Sequence, residues 1–220
     1  MFRDRMDAGE QLAQSILPYK GQDVAVFALP RGGVVLGIEV AKALEAPLEL
    51  IIVRKIGHPQ SPEFAIGAVA EDGYVVTSPW EAALVDRGWL ESEIHNQQAE
   101  AKRRRKFFTR GRERLSARGK VAIVVDDGLA TGLTMSAAIH EIQAQQPRQI
   151  VLAVPVASRD AIEKLRPLVD DIAVLHVPDM GFGSVGSFYE CFDQVSDEEV
   201  VELMESVGYA LRASTAVETR

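Results

Sequence analysis

Asp126 and Asp127 are adjacent carboxylates that close the apolar run Val121–Val125, and the seven residues that follow, Gly128-Leu129-Ala130-Thr131-Gly132-Leu133-Thr134, carry no charge. A carboxylate pair suits the vicinal hydroxyls of a sugar, or a Mg²⁺ that arrives with a polyphosphate and is met directly or through water. The uncharged stretch leads into a helical pattern. Unpaired N–H groups at a helix start attract phosphate. Gly132 lets the backbone approach closely, and Thr131 and Thr134 add hydroxyl donors. A ribose 5-phosphate satisfies both halves: its hydroxyls meet the aspartates and its phosphate meets residues 130–134.

Such residues need a scaffold that brings strand ends to one edge. The chain alternates strand and helix patterns. Short apolar runs at Val24–Leu29, Leu48–Val53, Val121–Val125, Gln149–Val154 and Ile172–Val177 read as strands, and continuous apolar character marks strands buried on both faces. Helical spacing occupies Asp4–Leu17, Val34–Leu44, Leu133–Gln145, Ser158–Leu165 and Asp197–Leu211. Trp80 to about Lys106 is helical and polar, and Ala65–Ala70 with Tyr74–Thr77 reads as a hairpin across Glu71-Asp72-Gly73. The expectation is an α/β fold, a mainly parallel central sheet flanked by helices. Sheets of this kind bind ligands at the carboxyl ends of their strands, where Asp126 and Asp127 fall.

"VAIVVDDGLATGLT" (Val121–Thr134) resembles the 5-phosphoribosyl-1-pyrophosphate (PRPP) signature of type I phosphoribosyltransferases. "FALPRGGVVLG" (Phe27–Gly37) is similar to that family's pyrophosphate loop, and "VRKIGHPQSPEFAIGAV" (Val53–Val69) to the strand whose basic residue reaches pyrophosphate. With "EFAIGAVAEDG" and "FGSVGSFYECFDQVSDEEV", the pattern resembles a bacterial group of undefined substrate. The resemblance implies a single domain over residues 1–220, with a core at about 20–177, a flexible loop beginning at Gly57–Glu63, and a C-terminal hood and helix at about 178–213. It implies PRPP and an unidentified base as substrates, Mg²⁺ as cofactor and a homodimer as assembly. Asp126 and Asp127 would orient the ribose and touch the metal. Ala130, Thr131, Gly132, Leu133 and Thr134 would take the 5-phosphate. Arg31, the amides of Gly32 and Gly33, and Lys55, with Arg54 second, would face pyrophosphate. The family often has a non-proline cis peptide in that loop. Phe182, Phe188 and Tyr189 are candidates for stacking on a flat base, and Glu63 is the candidate general base. Hypoxanthine-type members carry an acid where this chain has Ala130, which speaks against purine deprotonation by that route.

Other readings are a PRPP-binding regulator without catalysis, a phosphoribosyl hydrolase or phosphorylase, and a nucleic-acid binder. The last would use residues 102–120, with ten Lys or Arg against one acid, Glu113. That net +9 leaves −17 elsewhere in a chain whose total is −8. An acidic surface disfavours nucleic acid, and aromatics in the run are confined to Phe107-Phe108; a solvated helix and loop is the plainer expectation. "GFGSVG" (Gly181–Gly186) fits a dinucleotide fingerprint in spelling, but it opens no helix after a strand. The single cysteine, Cys191, offers no disulfide framework or Cys-based zinc site, and the histidines show no metal spacing. Met1-Phe2-Arg3-Asp4-Arg5 lacks the apolar run of a secretory signal, and no stretch has the length of a membrane span. A cytoplasmic location is expected.

Overall fold

The apolar runs separate into two sheets in the computed structural model, which describes residues 1–179 and 181–206. In chain order the elements are α1 (Arg5–Ser15), β1 (Val24–Ala28), α2 (Gly32–Leu44), β2 (Leu48–Leu50), β3 (Val53–His58), β4 (Ser61–Ala70), β5 (Val75–Thr77), α3 (Pro79–Ala83), α4 (Arg87–Thr109), β6 (Val121–Val125), α5 (Leu133–Gln143), β7 (Gln149–Val156), α6 (Arg159–Leu165) and β8 (Asp171–His176). A last helix, α7, covers 197–206. The expected extension of that helix to Leu211 lies outside the described residues.

The larger sheet has the order β2-β1-β6-β7-β8, and every neighbouring pair is parallel. Its two central strands, β1 and β6, are buried along their whole length, as their uninterrupted apolar character requires. One face packs on α1 and α2, with Leu12, Leu36 and Phe108 in the core; the other packs on α5 and α6, with Met135, Ile139 and Leu165. α1 and α2 approach closely because Gly9 has no side chain: a Cβ there would stand 3.0 Å from Leu36 Cα. Side chains cap the helix starts, Asp4 for α1, Asp86 for α4 and Ser158 for α6.

Some boundaries differ from the sequence reading. Leu48–Val53 is not one strand: β2 ends at Leu50, the buried Ile51 and Ile52 bridge the sheets, and Val53 opens β3. Gly57–Glu63 is not a loop throughout. β3 runs to His58 and pairs antiparallel with β4 from Ser61, around a tight turn in which the Gln60 N–H donates to His58 Nδ1. With the expected β4–β5 hairpin, this gives a three-stranded antiparallel sheet. The polar helix is divided: α3 stops at Ala83 and Asp86 caps a separate α4, its side chain accepting from Trp89 N at 2.8 Å.

Most of the basic run is solvent-exposed, as expected of a solvated helix and loop, but it is not a free cationic patch. Arg105 is 12% exposed and pairs with Glu49 at 3.0 Å and with Glu71, binding α4 to both sheets. Arg103 and Arg104 pair with Glu100, Arg110 with Glu205, Arg114 with the buried Glu141, and Lys120 with Asp23. The chain's own acids therefore neutralise most of the segment. Among the described residues no helix is long and apolar enough to cross a membrane.

Candidate active site

β6 delivers Asp126 and Asp127 to the carboxyl edge of the larger sheet, beside the start of α2. The pair is part-buried and ordered internally: the Asp127 N–H donates to Asp126 Oδ1 at 2.8 Å. Arg5, from the first turn of α1, donates through Nε to Asp127 Oδ2 at 2.8 Å. One oxygen of each carboxylate is thereby held, and no protein donor among the described residues bonds Asp126 Oδ2 or Asp127 Oδ1. Burial, reinforced by the charge of Asp127, holds the Asp126 carboxyl well above the usual carboxylate range. Burial raises Asp127 as well, and Arg5 opposes that rise.

The chain from β1 into α2 meets the acids directly. The Leu29 N–H donates to Val125 O at 3.0 Å, and the Pro30–Arg31 peptide is cis, as the family pattern suggests. α2 begins at Gly32, two residues before the position read from sequence, so Gly32 and Gly33 form its first turn. A Cβ on Gly33 would stand 3.0 Å from Asp126 Oδ1, and one on Gly32 would overlap the Asp127 carboxylate. Only glycines leave the amides of this turn bare beside the acids. Arg31 carries its charge at the same edge, where Nη1 lies 3.6 Å from Asp197 Oδ1 at the start of α7.

Residues 130–134 form an open loop into α5. Ala130 and Thr131 are exposed, Gly132 has φ +75° at the cap, and Leu133 begins the helix. The loop is fastened to the end of β7: Leu129 N donates to Val156 O, Ser158 N to Leu129 O, and Ser158 Oγ to Ala130 O at 2.6 Å. Thr131, Gly132, Leu133 and Ser136 line a cavity of about 430 Å³ with Phe64 and Lys164. Ser158 and Lys164 were missed from sequence. Ser158 was visible only as the first residue of a helical pattern, and nothing in the sequence pattern aims Lys164 at the loop.

The basic residues of β3 stand apart. Arg54 and Lys55 line a different cleft, about 360 Å³, together with Trp89 and Gln97, and none of Arg31, Asp126, Asp127 or 130–134 lines it. Arg54 is half-buried, donates to Gln97 Oε1 at 3.1 Å, and is pulled to lower pKa by its burial. Lys55 is more open, paired at 3.1 Å with a Glu63 carboxylate that is 98% exposed.

The aromatic candidates divide. Phe182 and Phe188 stack at 5.3 Å and are half-buried beyond β8, with His176 5.5 Å from Phe188. Tyr189 departs from the sequence reading. It is 6% exposed, packs between Phe2 and Phe192, and donates its hydroxyl to Asp127 O at 2.6 Å, so it has no face to offer a base. Residues 181–186 open no long helix. They lead into one short turn, Val185–Phe188, and Val185 lies against Gly128.

The acid pair and the Thr/Gly loop thus meet at the carboxyl edge of a parallel α/β sheet. Residues 3–179 match the phosphoribosyl transferase domain, and the chain belongs to that family. A Mycobacterium tuberculosis protein provisionally named a phosphoribosyl transferase, found in strains CDC 1551 and H37Rv, is 41% identical over 207 residues, or 93% of this chain and 46% of that protein. The chain thus spans about half the length of the curated relatives it matches. The crystal structure of TT1426 from Thermus thermophilus is 40% identical, with a TM-score of 0.77 over 93% of this chain and 97% of that one.

Proposed function

We propose that the chain is a phosphoribosyltransferase that binds PRPP with Mg²⁺ and joins the 5-phosphoribosyl group to a nitrogenous base. A ring nitrogen forms the new bond to C1, and the C1–O bond to pyrophosphate breaks with its electron pair leaving on pyrophosphate. The nitrogen's proton passes to a base in the site or to water. The observation that carries the reading is the acid pair with one free oxygen on each carboxylate, set between a bare glycine helix start and an exposed Ala-Thr-Gly loop.

The roles follow from that placement. Ala130–Thr134 hold the 5-phosphate with amides and hydroxyls at the start of α5. Asp126 and Asp127 accept the ribose hydroxyls and face the positive charge that gathers on the ring. Arg31 and the first amides of α2 meet the pyrophosphate as its charge grows; one such aimed donor is typically worth about 3 kcal/mol. Lys55, tied to the backbone carbonyl and exposed carboxylate of Glu63, is the cation of β3 best able to swing toward pyrophosphate, with Arg54 held back by Gln97. Glu63 is the candidate base, and Phe182 with Phe188 are the candidate stacking faces. Among the described residues no group of three His, Cys, Asp or Glu side chains is placed to hold a metal. The oxygen of each acid that no donor among the described residues holds fits a Mg²⁺ carried in by the polyphosphate, met directly or through water, where it would neutralise leaving-group charge. The family resemblance suggests a homodimer, and the sequence composition suggests a cytoplasmic location.

Pyrophosphate release is the test, measured with PRPP, Mg²⁺ and a panel of purine and pyrimidine bases. Release that requires one base supports transfer. Release without any base indicates hydrolysis, and binding without release indicates a regulator.

A further inference from the structure

Residues 2–5 and 188–193 meet beside Asp127. The Phe2 N–H donates to Phe188 O at 2.9 Å, Glu190 N donates to Phe2 O at 2.8 Å, and Cys191 N donates to Arg3 O at 2.8 Å. This pairing brings Arg5 and Tyr189 to opposite sides of one residue. Arg5 grips the carboxylate through Nε at 2.8 Å, and Tyr189 donates its hydroxyl to the backbone carbonyl at 2.6 Å. Arg5 is itself fixed. Its guanidinium lies 3.8 Å from the centre of the Phe192 ring, Nη1 donates to Asp193 O, and the side chain is 12% exposed. A Cβ on Gly32 would stand 2.7 Å from Arg5 Nε, so the glycine that bares the helix start also admits the arginine.

From this geometry we infer that Arg5, supported by Tyr189, is a positioning residue for the ribose site: it pins Oδ2 of Asp127 so that Oδ1 is presented to a sugar hydroxyl. The inference rests on the proposed function. A free aspartate turns about two side-chain bonds and faces the ligand only part of the time. A planar guanidinium stacked on an aromatic ring holds one carboxylate oxygen and thereby fixes the other. Asp127 N fixes Asp126 Oδ1 in the same way. The pair then offers two preset acceptors for two vicinal hydroxyls, and preset groups lose less freedom when the ligand binds. A lysine at position 5 would keep the charge but lose the stacking plane and the directed Nε–H.

Two ligands without pyrophosphate separate this role from simple structural support. Inorganic phosphate reads the anion sites without the acids; ribose 5-phosphate reads the loop and the acids. Their affinity ratio is measured in the wild type, Arg5→Gln, Arg5→Lys and Tyr189→Phe. Arg5→Gln should leave phosphate within about twofold and weaken ribose 5-phosphate by about 10- to 100-fold, the usual cost of losing a partner that orients a binding group. Arg5→Lys should recover part of the loss. Tyr189→Phe keeps the ring and should show a smaller fall in the same ratio; it serves as the reporter if Arg5→Gln does not fold. A wild-type ratio in the variants overturns the positioning role while leaving ribose recognition intact. A wild type that binds the two ligands equally well removes ribose recognition itself, and the positioning role with it.

Discussion

A side chain on Gly32 and the carboxylate of Asp127 cannot coexist: a Cβ at position 32 would overlap Asp127 Oδ2. The start of α2 and the end of β6 thus share one small volume, and the missing side chain makes the site possible. Gly32→Ala should push Asp127 out of place. Overpacking of this kind costs about 1–3 kcal/mol, and thermal unfolding should show it. PRPP binding should fall further than stability does, and calorimetric titration of the folded variant checks this.

Asp126 predicts a trade of stability against binding. Its carboxyl is raised by burial, so the folded state holds the proton more tightly than the unfolded chain. Stability from this group is greatest below the ordinary carboxylate pKa near 4 and is lost as pH climbs from there to the raised folded value. Asparagine keeps the acceptor for Asp127 N without the buried charge. Asp126→Asn should therefore be more stable than the wild type at pH 8, by about 1–3 kcal/mol, with the gap closing toward pH 4. PRPP binding should be lost. Paired unfolding curves across that pH range give the answer.

Ser158 couples the 130–134 loop to α6. Its hydroxyl donates to Ala130 O and accepts from Ala161 N at 3.1 Å. Ser158→Ala removes both bonds. The cap alone is worth about 1 kcal/mol, read as a lower unfolding midpoint. Loosening of Ala130 should also weaken inorganic phosphate several-fold, which sets this variant apart from Arg5→Gln.

Arg105 is the structural member of the basic run. Removing it leaves Glu49 and Glu71 without their cation, and Glu49 is nearly buried. Breaking a buried pair on one side costs about 3–5 kcal/mol. Arg105→Ala should unfold at markedly lower denaturant, while Lys102→Ala, on an exposed position of the same helix, should stay within about 0.5 kcal/mol of the wild type.

The parts legible in the sequence are those set by local pattern. The strands β1 and β6 are unbroken apolar runs, and Asp126, Asp127 and 130–134 follow β6 in the chain, so their edge position could be read directly. Leu48–Val53 misled because it is apolar throughout, while the chain changes sheets at Ile51 and Ile52, both buried on either side of the change. The helical pattern begins at Val34, and the Gly-Gly pair before it proved to be the first turn of α2. Tyr189 looked like a stacking face because nothing local shows that Phe2 covers it. Arg5 lies 122 residues from Asp127, and no spacing rule spans that separation. The ion pairs of the basic run were hidden for the same reason: the acids Asp23, Glu49, Glu71, Glu141 and Glu205 are distant in the chain and close only in the fold.

The central claim is that Asp126 and Asp127 hold the ribose of PRPP. Calorimetric titration of PRPP with Mg²⁺ into the wild type and the Asp126→Asn/Asp127→Asn double variant tests it most directly. The account predicts saturable binding by the wild type and none by the folded double variant. Equal binding by both would place PRPP elsewhere, and no binding by the folded wild type would contradict the assignment outright.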